Sequence, residues 1–185
     1  RTEKRMAVES KTIPVGTPLI GFVLPDVENK PVNIQDFRGN LLLVVFSCNH
    51  CPYAKASWPV LIDLQKRYAE DGFQVVAVNP NNNPAFPDDR FEEMKPYAAS
   101  IGMNFPYLFD GDQKAARAYG AECTPDPYLF KDGKLFYHGR INDNWKDPAS
   151  VKERSLEAAI LAALGRGALP GKIHPSIGCA IKWAG

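Results

Sequence analysis

Long apolar runs are missing from this chain. No stretch of about 18 consecutive hydrophobic residues occurs in its 185, so no membrane partner and no membrane-spanning helix are expected. Nor does charge of one sign dominate. Lys plus Arg number 22 against 21 Asp plus Glu, a formal net charge of +1. The basic residues gather into no stripe, so no nucleic-acid partner is expected. Cysteine is scarce, at four in the whole chain. That is too few for a disulfide-stapled scaffold and suits a redox site in a reducing compartment, so a cytoplasmic location is expected. Residues 1–10 are polar and lack an apolar h-region, so no signal peptide is expected. The opening on Arg1 rather than Met leaves room for a removed upstream segment. There is no internal repeat and no low-complexity tract. A composition of 45% hydrophobic and 23% charged residues suits one domain with a real core.

Against that plain background one motif stands out: Cys48-Asn49-His50-Cys51. It directly follows Leu41 to Ser47, apolar almost throughout, which reads as a strand buried on both faces. Pro52 to Glu70 reads as a helix with Trp58, Val60, Leu61, Leu64 and Tyr68 on its apolar side and Gly72 as its stop. Phe73 to Val78 reads as a second buried strand, parallel to the first. A strand that delivers two thiols to a helix start suits thiol–disulfide exchange. The helix N-terminus favours a thiolate, and one sulfur of a close pair can resolve a mixed disulfide formed by the other. Zinc sites use the same spacing, but no second CxxC or HxxxH completes a tetrahedral set, so neither metal nor other cofactor is expected.

The remaining elements follow from the same patterning. Leu19 to Leu24 and Val32 to Ile34 pair as a hairpin. Arg90 to Ile101 is helical, capped by Asp88 or Asp89, and Phe105 to Phe109 is extended. Gln113 to Tyr119 is a short helix. Pro127 to Lys131 and Leu135 to Arg140 form a hairpin through Asp132-Gly133, and Ala149 to Leu164 is an amphipathic helix. Residues 1–14 read as a flexible leader, 15–165 as the domain, and 166–185 as an irregular tail packing on it. The order is that of a thioredoxin fold: α/β, a central mixed sheet flanked by helices, with an N-terminal hairpin and a central βα insertion. The CxxC then lies at the carboxyl end of a central strand, where open α/β sheets build their sites.

Phe46-Ser47-Cys48-Asn49-His50-Cys51-Pro52, Thr124-Pro125 and Phe105-Pro106-Tyr107-Leu108-Phe109-Asp110 together resemble the thioredoxin-like superfamily. Within it they resemble the branch shared by peroxiredoxins (the alkyl hydroperoxide reductase/thiol-specific antioxidant proteins) and TlpA/ResA-type proteins. His138 to Asn144 and Ile177 to Trp183 resemble a peroxiredoxin-like group of redoxin proteins. The resemblance implies a thiol–disulfide oxidoreductase. Cys48 would attack, Cys51 one turn inside the helix would resolve, and His50 would favour the Cys48 thiolate. Thr124-Pro125 would be a cis-proline loop whose Thr124 backbone pairs with an extended substrate segment. The partners implied are a protein or small-molecule disulfide or dithiol and an upstream thiol electron donor.

Cys123, two residues before that proline, and Cys179 in the tail are candidates for further redox thiols. Each can equally be a small buried side chain. His138, Arg140, Asn142, Asp143 and Asn144 either line a substrate groove or supply turn chemistry. The buried acid that thioredoxin carries six residues before its first cysteine is Leu42 here. The Pro and Thr/Ser of the peroxiredoxin signature fall on Val44 and Cys48. A thiol-dependent peroxidase is therefore the alternative activity, and a redox-sensing or metal-binding interaction module the alternative without turnover.

Overall fold

A computed structural model of the chain describes residues 7–184. The described residues open on β1 (Ala7–Glu9), followed by β2 (Val23–Pro25) and β3 (Pro31–Asn33), an antiparallel hairpin. Then come β4 (Leu41–Phe46), α1 (Pro52–Tyr68), β5 (Phe73–Asn79), α2 (Phe91–Ile101), β6 (Tyr107–Phe109) and α3 (Lys114–Tyr119). The last elements are β7 (Cys123–Thr124), β8 (Asp126–Lys131), β9 (Lys134–His138), α4 (Ser155–Ala163) and β10 (Ile177–Ala180). The central sheet has the order β6-β5-β4-β8-β9. β5 runs parallel to β4 and to β6, while β8 is antiparallel to β4 and to β9. This is the α/β thioredoxin fold that the element order implied.

β4 shows why an apolar run becomes a central strand. Successive side chains point to opposite faces, and both faces are covered. Leu41, Leu43 and Val45 pack with Trp58, Leu61 and Leu64 of α1 and with Leu156 and Ile160 of α4. Leu42, Val44 and Phe46 pack on the other side with Ile34, Tyr119 and Tyr128. α1 starts at Pro52, whose missing N–H and fixed φ suit a first helical position. After a short 3-10 turn the chain leaves at Gly72, with φ at 82°, where a side chain would be strained. The effect is to fix the β4–α1 junction, which carries the cysteines, between two packed layers.

The structure differs from the sequence reading at five places. First, part of the leader is ordered: β1 pairs with β10, Ala7 opposite Cys179, and Ser10 is buried with its hydroxyl on Asp126. Residues 1–6 of that leader lie outside the described residues. Second, the tail is not irregular throughout, since β10 lies between β1 and β7 in a three-stranded sheet. Third, the last helix begins at Ser155 rather than Ala149, because the backbone before it is engaged elsewhere. Lys152 N–H donates to the Asp143 carboxylate (2.9 Å) and Asp143 N–H to the Glu153 carbonyl (3.1 Å).

Fourth, neither Asp88 nor Asp89 caps α2. Arg90 is the cap residue, without a side-chain bond, because the Asp89 carboxylate faces inward to the cysteine motif. Fifth, Cys51 is the N-cap of α1 rather than a residue one turn inside. Proline in the first turn sets that boundary.

Candidate active site

The cysteine motif meets three other segments at the carboxyl end of β4. Cys48, Cys51, Ala54 and Cys179 form a small buried cluster with Tyr53 against it. Cys51 is disulfide-bonded to Cys179, 128 residues away in sequence, with Cα atoms 6.3 Å apart, within the span a disulfide bridges. Cys48 is a free thiol with no exposed surface. The oxidised pair is thus not Cys48–Cys51, and the closing partner of Cys51 comes from β10.

Thr124-Pro125 is cis and lies across both sulfurs. The Thr124 hydroxyl is 3.5 Å from Cys48 Sγ, and its carbonyl is 3.6 Å from Cys51 Sγ. The edge of β7, expected to receive a substrate segment, is occupied. Thr124 is paired with Cys179 and Cys123 with Ala180. Cys123 is buried outside the sulfur cluster, its thiol directed to the Pro125 carbonyl at 3.8 Å. Burial and the nearby Asp126 carboxylate push the Cys123 thiol far up, so at neutral pH it is a protonated core side chain.

The residue that sequence reasoning missed is Asp89. It is 1% exposed and accepts from Asn49 N–H (2.8 Å), from Asn81 Nδ2 (2.8 Å) and from His50 Nδ1. Burial alone would raise its carboxyl, but these donors hold it below its ordinary 3.8. An ionised carboxylate can only accept, so His50 presents Nδ1–H to it. His50 Nε2 is left buried and without a hydrogen-bond partner among the described residues. Cys48, His50 and Asp89 each bring one sulfur, nitrogen or oxygen atom within 4.8 Å of the others. Those three could hold a metal ion, but among the described residues no fourth such donor joins them, and structural zinc sites take four. The signal in the sequence was the doublet Asp88-Asp89 inside an Asn-rich loop, more acid than one helix cap needs.

The expected depressed pKa of Cys48 is not what this conformation shows. Burial, then the Asp89 charge, push the Cys48 thiol from 9.0 to about 11, against the Thr124 hydroxyl and the backbone N–H groups of Cys51 and His50, which favour the anion. The folded chain therefore keeps this proton where the unfolded chain has lost it. Stability falls with rising pH between 9.0 and about 11, by about 1.4 kcal/mol per unit from this group alone. Urea unfolding of wild type and Cys48→Ser at stepped alkaline pH checks this. The wild type should lose the additional increment, and equal slopes would contradict the assignment.

A second buried acid lies on the other side of Pro125. Asp126 is fully buried and accepts from Ser176 Oγ (2.5 Å), Tyr128 OH (3.0 Å), His138 Nε2 (2.6 Å) and Ser10 Oγ. It ties the segments beside β1 and β10 to the core strand β8. His138 is thus structural, stacked on Tyr128 with ring centroids 4.0 Å apart. Arg140, Asn142, Asp143 and Asn144 do line a groove of about 290 Å³ that reaches Pro125 and Ser176. Tyr53, stacked on Trp145 at 3.8 Å, forms a wall of that groove.

Comparison with known proteins finds relatives named for thiol–disulfide chemistry. The chain is 25% identical over 128 residues to "Thiol-disulfide oxidoreductase ResA" of Bacillus thuringiensis (strain Al Hakam), covering 69% of this chain and 70% of that protein. Among solved structures, an uncharacterized conserved protein from Geobacillus kaustophilus is 38% identical, covers 97% of both chains and superposes with a TM-score of 0.90. A putative thiol:disulfide interchange protein DsbE from Chlorobium tepidum is 28% identical, with a TM-score of 0.68, over 83% of this chain and 100% of that one. The family model for AhpC/TSA matches residues 15–138. A chain matched over most of its length, with its cysteine motif and its cis-proline inside the match, belongs to the AhpC/TSA family.

Proposed function

We infer that this chain is a thiol–disulfide oxidoreductase in which Cys48 attacks and Cys51 resolves. The observation that carries the reading is the buried cluster of Cys48, Cys51 and Cys179, one sulfur free and two bonded, under Thr124-Pro125. That arrangement is one stage of an exchange among thiols. In the reduced enzyme Cys48 reacts as its thiolate, the nucleophilic form of a thiol, while His50 Nδ1–H stays on Asp89. The carboxylate fixes the orientation of the His50 ring beside the cysteine motif. The Cys48 thiolate, supported by the Thr124 hydroxyl and the N–H groups of Cys51 and His50, attacks one sulfur of a substrate disulfide. A mixed disulfide forms and one substrate thiolate leaves. Cys51 then attacks Cys48 Sγ, closes Cys48–Cys51 and releases the second thiol.

Substrates are disulfides or dithiols, and an upstream thiol donor returns the enzyme to its reduced state. The groove beside Pro125, with its Tyr53–Trp145 wall and Arg140, has room for the flanking groups of a peptide or small-molecule disulfide. Peroxidase chemistry has less to support it, since Val44 and Cys48 stand where its signature residues would be.

The test is a trap. Cys51→Ser, incubated with a peptide disulfide, should accumulate a covalent adduct on Cys48, read as the peptide's mass after digestion. An adduct on Cys51 in Cys48→Ser, with none on Cys48 in Cys51→Ser, would reverse the roles.

A further inference from the structure

We propose that Cys179 is a third redox-active thiol of this site, and that β10 delivers it by occupying the strand position next to Thr124 that an incoming substrate segment needs. This rests on the oxidoreductase reading above and extends it. β7 offers one sheet edge beside the cysteines. An extended segment that brings a sulfur to Cys51 has to lie along that edge, because added strands bind through such backbone edges. β10 does so, with Cys179 opposite Thr124 and its sulfur bonded to Cys51.

The fit is specific. A Cβ at Gly178 would lie 2.0 Å from the Thr124 carbonyl oxygen, so the close approach that seats the strand requires glycine there. Cys179 is only 3% exposed and belongs to the same cluster as Cys48 and Cys51. The Asp126 carboxylate holds the segment just before it through Ser176.

The step is a thiol–disulfide exchange with no net electron change. After turnover the oxidising equivalent sits in Cys48–Cys51. The Cys179 thiolate attacks Cys51 Sγ, the Cys51–Cys179 bond forms, the Cys48–Cys51 bond breaks, and Cys48 leaves as a thiolate that takes up a proton. The product is the arrangement seen here, with Cys48 a free thiol and the disulfide at Cys51–Cys179. Burial of Cys48 in this state, with its thiol held protonated, makes it a resting oxidised form. An external dithiol must open Cys51–Cys179 before another substrate disulfide is attacked.

Two measurements on the full chain decide it. The first is disulfide mapping after acid quench and alkylation, with the reduced protein oxidised by one equivalent of diamide. Cys51–Cys179 should be the main bond in wild type. Cys48–Cys51 should replace it in Cys179→Ser, and also in Gly178→Val, which keeps the thiol but cannot seat β10. The second is equilibrium with reduced and oxidised dithiothreitol, where both variants should be reduced at least about tenfold more readily than wild type. Cys48–Cys51 as the wild-type bond, or unchanged equilibria in both variants, would overturn the proposal. If that happened while Cys48→Ser alone lost peptide disulfide turnover, the relay would fall and the oxidoreductase would stand. Full turnover by Cys48→Ser would remove the relay and make Cys51 the attacking group of the oxidoreductase.

Discussion

Cys48→Ser lowers the turnover of a peptide disulfide, with dithiothreitol as donor, by at least about a thousandfold. The attacking species in exchange is a thiolate. A serine hydroxyl in the same place stays protonated, and an oxygen cannot form or pass on a disulfide. The change is close to isosteric, so the cluster with Cys51, Ala54 and Cys179 and the contact to the Thr124 hydroxyl remain. Unfolding free energy near neutral pH should change by no more than about 1 kcal/mol. This separates lost chemistry from lost fold. Activity above a tenth or so of wild type would instead make Cys51, at the N-cap of α1, the attacking group.

Asp89→Ala destabilises the fold by about 3 kcal/mol, because removing one member of a buried pair leaves the other uncompensated. Here three donors are stranded at once: the His50 ring, the Asn81 amide and the Asn49 N–H. Asp89→Asn is the milder probe. It keeps an acceptor for Asn49 and removes the charge that helps push the Cys48 thiol up to about 11. The thiol should then titrate lower, since less work is needed to place a second negative charge there. Monitoring thiolate absorbance against pH, with Cys123→Ser as background, measures that shift, and denaturant unfolding measures the stability. An Asp89→Ala variant as stable as wild type would mean the loop carries no structural weight. An unmoved thiolate titration in Asp89→Asn would remove its electrostatic role.

The β4–α1–β5 unit was legible because its signals are local: a doubly buried apolar run, a helix with a one-sided apolar face, and a glycine stop. The hairpin of β8 and β9 and the cis-proline beside Cys123 were legible for the same kind of reason or through resemblance. The α4 start is not legible in the periodicity, because Asp143 in the preceding loop captures the Lys152 N–H. An acid just before a helix is usually its cap, so local patterning offers Asp88 or Asp89 for α2 and does not single out Asp89 as an inward-facing group. Asp89 turns inward to the Asn49 N–H and the half-buried His50 imidazole, 40 and 39 residues away in sequence.

By itself the sequence determined the fold class, the two-thiol motif at the end of a central strand, and the chemistry such a motif performs, because each depends on neighbours along the chain. Only the tertiary structure decided which sulfur Cys51 is bonded to, which acid faces His50, and what occupies the edge at Thr124. Those depend on contacts between residues from 39 to 128 positions apart, made by a tail strand and an inserted loop. The free energy of such contacts comes from buried partners in space, which local patterning does not encode.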